Sequence, residues 1–166
     1  MSAEQLVRTA GVTRGALYHH FQDKNDLFRA VYEQLEEELC TELTARLDSA
    51  GSAVEGLQLG VGWFLDVCDR NEVRQIALVD APALLGWARW RQIESDYALG
   101  IVVDRLRAAQ AEGATLTGPV EIMASLLFSM MIDAALTIST SDDPVTTRAH
   151  VEPTLQGLAA RALGIF

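Results

Sequence analysis

The chain has 166 residues, is 49% hydrophobic and carries a formal net charge of −10. This length allows one globular domain, or one domain with a small head, and the apolar content is enough for a real core. The charge argues against strong non-specific binding of nucleic acid, but it is unevenly placed: basic and acidic side chains balance over residues 1–33. A neutral head on an acidic body can still present a basic tip to phosphates, with weak and salt-sensitive non-specific affinity.

Cysteine content and hydropathy indicate the cellular compartment in which we expect the protein. Cys40 and Cys68 are the only cysteines and lack metal-type spacing, so we expect reduced, buried thiols in a cytoplasmic protein. No signal peptide is recognisable at the start. The longest apolar stretch, residues 122–138, contains Ser125, Ser129 and Asp133 and is shorter than the roughly 20 residues of a membrane span. We therefore expect a buried helix and no membrane partner.

Two short helices are predicted at the start of the chain. Ser2 is a suitable N-cap for a helix that Gly11 ends, because glycine tolerates the left-handed conformation of a helix stop. Thr13 caps the next helix, which runs to about His20. Helix, glycine turn and helix is the geometry that places a recognition helix in the major groove of DNA.

Residues 11–24 carry a family resemblance. Gly11-Val12, Leu17-Tyr18, His20-Phe21 and Lys24, at these spacings, closely resemble the DNA-binding domain of TetR-family transcriptional regulators. The resemblance runs from about Ser2 to Val31. In that family another helix of about twenty residues precedes the position of Ser2, and this chain begins at Met1. We therefore expect an incomplete helix-turn-helix domain whose apolar side chains lose part of their cover.

The resemblance implies a set of DNA-contacting residues. Arg14 can bond guanine O6 and N7, the alternative being a solvated arginine, and Ala16 can touch a thymine methyl group. The Tyr18 hydroxyl and the Lys24 ammonium suit phosphate oxygens. Phe21 is expected to pack the head against the next helix. The expected DNA-binding residues are Ser2, Thr13, Arg14, Gly15, Ala16, Tyr18, His19 and Lys24.

One long helix links the head to the body. Leucine or valine recurs every four residues from Leu27 to Leu47, which predicts an amphipathic helix that Asp23 caps and that ends near Asp48. This helix begins in the head and ends in the body. We place the domain boundary on it, with residues 1–46 as the DNA-binding domain and connecting helix and residues 47–166 as a ligand-binding and dimerisation domain.

The body is predicted to be helical throughout, so the fold class is all-α. Residues 53–70 form one helix and residues 72–78 a short one, and Asp80-Ala81-Pro82 marks a turn or a helix start with Asp80 as cap. Residues 83–112 form a helix that is bent near Gly86 and that Gly113 ends. Residues 119–140 form a nearly all-apolar helix, and residues 144–163 form a last helix that Pro153 would bend or divide.

The body also resembles the ligand-binding domain of the same family, over Leu78 to Trp87 with Trp90-Arg91. Aromatic and thioether side chains suit a large apolar cavity with few polar anchors, although each can equally be a core residue. We expect a small apolar or aromatic effector. Its expected lining is Trp63, Val67, Trp87, Trp90, Tyr97, Met123 and Leu127.

A homodimer is expected, with the last two helices of each chain forming a four-helix interface. Asp133, if buried, needs a partner: an arginine across the interface, a local polar network or a cationic ligand. The expected interface residues are Ser125, Ser129, Ile132, Asp133, Leu155 and Leu158.

The family resemblance implies a repressor that a small effector releases from a palindromic operator, where a two-fold dimer spaces its recognition helices roughly 34–36 Å apart. The alternative is a ligand-binding or interaction dimer with a remnant head. No catalytic triad, phosphate-binding glycine loop or metal-ligand spacing is recognisable, so we expect no enzyme, no metal and no cofactor. Adjacent His19 and His20 do not face one way on a helix and are not expected to form a metal pair.

Overall fold

The computed structural model describes residue 21 and residues 23–164, in which all regular structure is helical. The all-α prediction is confirmed. Within these residues, eight α-helices are joined by turns and by two π-helical segments. In chain order the elements are α1 (Lys24–Asp48), α2 (Ala53–Asp69), α3 (Asn71–Val73), a π-helical segment (Arg74–Asp80), α4 (Ala81–Leu85), α5 (Trp87–Glu94), a second π-helical segment (Ser95–Leu99), α6 (Gly100–Ala111), α7 (Val120–Ser139) and α8 (Pro144–Ala162).

Helix α1 has the predicted ends. The Asp23 carboxylate accepts a hydrogen bond from the backbone N–H of Asp26 at 2.8 Å, which satisfies one of the free donors at the helix start. Leu27 and Leu47 are buried near its two ends. The leucines between them are half-buried against the main core. One side of α1 therefore packs on the main core from Phe28 to Leu43, whereas Leu27 lies in a separate small cluster with Phe21 and Val31.

The segment between α2 and α6 differs from the prediction. The backbone of Asp80 is helical and Asp80 makes no cap; its carboxylate instead accepts a hydrogen bond from Gln75 at 2.9 Å. The π-helical segments were not predicted, because a wider helical turn leaves no distinct hydrophobic period. The break at Gly86 is confirmed, since its φ of 78° lies in the left-handed region that glycine tolerates.

Helix α7 passes between two core clusters. Phe128 and Ile132 belong to the main cluster, and Met123 and Leu127 belong to a second cluster with α6. Among the described residues, α7 is the one helix long and apolar enough to cross a membrane by length and composition. Its packing is that of a core helix. Helix α8 lies against α7 and is continuous, with Pro153 inside it, so the predicted division at Pro153 was wrong.

Candidate functional site

A narrow cavity lies between α1, α2, α7 and the end of α5. Its volume is about 60 Å³, and most of its wall is aliphatic or aromatic. Trp63 and Phe64 of α2 and Phe128 of α7 supply aromatic faces. Leu39 and Leu43 contribute from α1, so the connecting helix itself forms one wall.

Two carboxyl groups interrupt this apolar lining. Glu36 of α1 is 5% exposed and Glu94 at the end of α5 is 6% exposed, and both line the cavity. They are the two buried charged residues of the described chain. The Tyr32 hydroxyl donates a hydrogen bond to Glu94 Oε1, which ties α1 to α5 across 62 positions of sequence. We call Tyr32, Glu36 and Glu94 the acid cluster.

The two acids favour their protonated forms. Burial, followed by repulsion from Glu94, raises the pKa of Glu36 to about 9. Burial also raises the pKa of Glu94, against the opposing effects of the Tyr32 hydrogen bond and the Arg91 charge. Burial and the two carboxyl groups raise the pKa of Tyr32 as well, so its hydroxyl remains a donor. At neutral pH the pair therefore holds at least one proton.

Arg91 is the basic residue whose charge affects the pKa of this pair. Its guanidinium lies 5.6 Å from the centroid of the Phe128 ring and donates a hydrogen bond to Ser129 Oγ at 3.0 Å. These contacts tie α5 to α7. The Arg91 charge favours the ionised form of Glu94, so it compensates one of the two carboxyl groups.

A second cavity of about 50 Å³ lies beside the first and differs from it chemically. Its wall is apolar except for Arg105. Leu127 of α7 lines it, together with Leu47 of α1. Three residues line both cavities: Leu43, Val102 and Met131.

The outer face of α7 exposes two large apolar side chains, one helical turn apart, among polar ones. Ile122 is 59% exposed and Leu126 is 61% exposed. An open groove of about 340 Å³ runs between α7 and α8, with Asp133 and His150 on its sides and Leu158 at its edge. Exposed large apolar side chains in a row are typical of a surface that another protein covers.

The residues expected to bind a ligand are dispersed. Trp63 and Val67 line the first cavity and Leu127 lines the second. Trp90 is fully buried and does not line either cavity, and Met123 lies in the second core cluster. Two more lie towards the surface: Tyr97 is half-buried, and Trp87 is 60% exposed with its ring 4.8 Å from that of Trp90. The structure thus groups three of the seven at cavity walls.

Sequence reasoning did not identify Glu36 and Glu94 as site residues. Their helical spacing from apolar or bulky residues was a signal that could have found them. Glu36 stands four residues after Tyr32 and four before Cys40, and Glu94 stands four residues after Trp90. Helical spacing places each acid on the same face as a bulky or apolar residue, and therefore inside.

The expected interface residues fall into three groups. Ser125, Asp133 and Leu158 are exposed, so Asp133 does not need a buried partner within the protomer. Ser129 is half-buried and accepts the Arg91 hydrogen bond. Ile132 and Leu155 lie inside the protomer, where both belong to the main core cluster.

Of the expected DNA-binding residues, Lys24 is exposed at the start of α1. The other seven lie outside the described residues: Ser2, Thr13, Arg14, Gly15, Ala16, Tyr18 and His19. Within the described part of the chain, no group of three His, Cys, Asp or Glu side chains could hold a metal ion.

Two family models match most of the chain. Residues 1–31 match the model described as bacterial regulatory proteins of the tetR family. Residues 54–162 match the model described as the tetracyclin repressor-like C-terminal domain. The matches cover the two regions on either side of the long helix.

Individual proteins agree with these matches. The TetC protein of transposon Tn10 from Escherichia coli is 29% identical over 104 residues, which are 61% of this chain and 51% of TetC. The HTH-type transcriptional regulator AcrR of Shigella flexneri is 53% identical over 32 residues, 19% of this chain and 15% of AcrR. In these matches the chain thus spans about half the length of TetC and 15% of the length of AcrR.

A solved structure supports the same assignment. A TetR-family transcriptional regulator from Pectobacterium atrosepticum superposes with a TM-score of 0.85 at 29% identity, over 98% of this chain and 83% of that one. Members of this family are non-enzymatic DNA-binding proteins, which confirms the prediction that the chain is not an enzyme. The helical architecture and the two family matches show that this chain belongs to the TetR family of transcriptional regulators.

Proposed function

We propose that the protein is a cytoplasmic, dimeric DNA-binding regulator that a small effector releases from a palindromic operator. The observation that carries this proposal is the position of the cavity against α1. Helix α1 begins within the segment that matches the tetR-family model, and four of its residues, Glu36, Leu39, Cys40 and Leu43, form cavity wall. A ligand in the body would therefore touch the helix that carries the head.

The size of the cavity supports a mechanical link. Pockets for drug-sized ligands typically have volumes of about 300–1,000 Å³. At about 60 Å³ the cavity is much smaller, so an effector of that size must displace its walls. Helices α2 and α7 are packed within the bundle, whereas α1 lies along one side of it, so α1 is the wall that we expect to move. Coupling of this kind is typically about 1–3 kcal/mol.

The expected DNA contacts stay as proposed from the sequence, with Arg14 reading a base and Tyr18 and Lys24 contacting phosphate. The test is fluorescence anisotropy with labelled DNA that flanks the protein's own gene. An Arg14→Ala variant should lose sequence-specific binding, and Arg107→Ala, which changes an exposed arginine of α6, should not. Equal specific binding by both variants, or no specific binding by the unchanged chain, would contradict the proposal.

The exposed face of α7 supports the proposed dimer. Ile122 and Leu126 would become buried against the same face of a second copy, with the small exposed Ser125 beside them permitting close approach of the helices. Asp133, Leu158 and the α7–α8 groove continue this face.

Sedimentation velocity tests the dimer. A Leu126→Glu variant places a carboxylate on the proposed interface, so it should shift the protein from dimer to monomer at micromolar concentration. Leu84→Glu, which changes an exposed leucine of α4, is the matched control and should remain dimeric. A monomer before any substitution, or a dimer that Leu126→Glu leaves intact, would exclude this interface.

A further inference from the structure

We propose that the acid cluster recognises a positively charged effector, an organic ammonium ion with an apolar or aromatic body. This inference rests on the proposed function, which gives the effector an apolar body but no charge. It stands on the placement of Glu36 and Glu94 in the wall of one apolar cavity that aromatic rings also line.

The charge count of the site favours a single positive charge on the ligand. Two carboxyl groups meet one cation, Arg91, so full ionisation leaves one negative charge uncompensated. The other titratable groups around the pair add no positive charge. They are Tyr32 and Cys40 of α1, Cys68 of α2 and Tyr97 of the second π-helical segment.

Glu36 is the acid whose charge the fold leaves uncompensated. Hydrogen bonding to Tyr32 favours the ionised form of both acids, but only Glu94 also lies in the field of Arg91. Among the described residues, no ion pair joins Glu36 to a basic side chain. A buried carboxyl group without such a pair destabilises a protein relative to an apolar side chain of similar volume. A ligand cation would supply the missing charge.

The cavity wall suits the rest of an organic cation. Trp63, Phe64 and Phe128 present aromatic rings, which attract cations through their π faces. The Arg91 guanidinium already lies over the Phe128 ring, so this ring of the cavity wall has one cation at its face. If the hydrophobic body of the ligand is longer, it would extend past Leu43 and Met131 and contact the apolar side chains of the neighbouring cavity.

Binding should release a proton. The pair holds a proton at neutral pH because burial raises the pKa of Glu36 to about 9. A permanent cation takes the place of that proton, so its affinity should rise as the pH rises towards 9. Full linkage to one proton corresponds to a tenfold change in affinity per pH unit.

The probe is benzyltrimethylammonium, whose charge does not depend on pH, and its neutral isostere is neopentylbenzene. Calorimetric titrations of the full chain at pH 6, 7 and 8 should show affinity for the cation rising three- to tenfold per pH unit, above that for the neutral compound. Glu36→Gln should weaken cation binding at pH 8 at least tenfold. Glu38→Gln, which removes an exposed carboxylate from the same helix, should not.

The outcomes separate this inference from the proposed function. Equal affinity for the two probes, or cation binding that neither pH nor Glu36→Gln changes, would overturn the charge preference and leave the apolar effector site standing. No binding of the cation at millimolar concentration would also overturn it. The proposed function is tested separately by specific binding to the operator DNA. That measurement requires neither probe.

Discussion

The two cavities of the body have similar volumes and share a wall, but they differ in polarity. The acid-cluster cavity contains two buried carboxyl groups, whereas the neighbouring cavity has an apolar wall with only Arg105 as a charged lining residue. Arg105 already forms an ion pair with the exposed Asp48. Apolar walls provide volume without orientation, and a few polar groups determine what a pocket accepts. We therefore place effector specificity in the first cavity and accommodation of a hydrophobic tail in the second.

The comparison extends to how each cavity holds α1. The second cavity is connected to α1 by the packing of Leu43 and Leu47 and by the ion pair between Arg105 and the exposed Asp48 at the end of the helix. In the first cavity α1 is also joined to α5 by the Tyr32–Glu94 hydrogen bond. A change in the acid cluster can therefore reach the connecting helix through a directed contact.

The largest expected effect comes from adjacent α7 residues that face different cavities. Phe128→Ala should lower the free energy of unfolding by about 3–5 kcal/mol, and Leu127→Ala by about 2–4 kcal/mol, because each leaves a void in a packed core. Phe128→Ala also removes the ring beneath Arg91. Urea denaturation measures both values. A loss below about 1 kcal/mol for Phe128→Ala would show that this ring is not packed as described.

A smaller effect separates the cavities by their response to pH. The pKa of Glu36 is about 9 when folded, against an ordinary value of 4.5. Between these values the folded protein holds a proton that the unfolded chain has lost, so the free energy of unfolding falls as the pH rises. Glu36→Gln removes this dependence and should gain about 1–3 kcal/mol relative to the unchanged protein between pH 5 and pH 8.

Urea denaturation at pH 5, 6, 7 and 8 tests this prediction. Glu38→Gln is the control, because it makes the same chemical change at an exposed position of α1. Parallel pH profiles for the unchanged protein and Glu36→Gln would show that Glu36 ionises normally in the folded state.

The smallest effect is expected at the surface. Arg70 and Glu42 pair at 3.0 Å between the end of α2 and α1, and both side chains are 48% exposed. Exposed pairs of this kind contribute little, so Arg70→Ala should change the free energy of unfolding by no more than about 0.5–1 kcal/mol. A larger loss in denaturation would mean that α1 is held to α2 by this pair and not by the buried contacts.

Sequence reasoning predicted the elements with a strong helical period. The Asp23 cap and the spacing of leucines gave both ends of α1, and Gly86 and Gly113 gave two helix breaks. It did not predict the π-helical segments, because a locally wider turn is set by tertiary packing. It also did not predict that Ile132 of α7 lies inside the protomer, since a helix that is apolar nearly all round does not reveal which face is covered by its own chain.

The candidate site was harder to predict than the fold. Aromatic content pointed with equal weight to two tryptophans. Trp63 lines a cavity, whereas Trp87 lies at the surface. The acids were overlooked because Glu36 stands beside Glu37 and Glu38, where a run of charges is typical of a solvated face. The four-residue spacing from Tyr32 and Cys40 distinguishes Glu36 from the other two, and in the structure Glu36 is buried whereas Glu37 and Glu38 are exposed.

The most direct test of this account is operator binding by the full chain, followed by fluorescence anisotropy with and without benzyltrimethylammonium. The account predicts saturable, sequence-specific binding that the cation weakens by about 5- to 150-fold, the range typical of allosteric coupling. Glu36→Gln should bind the operator and should not respond to the cation. Specific DNA binding whose affinity is the same at every concentration of the cation, although calorimetry shows the cavity occupied, would contradict the link between the acid cluster and the head.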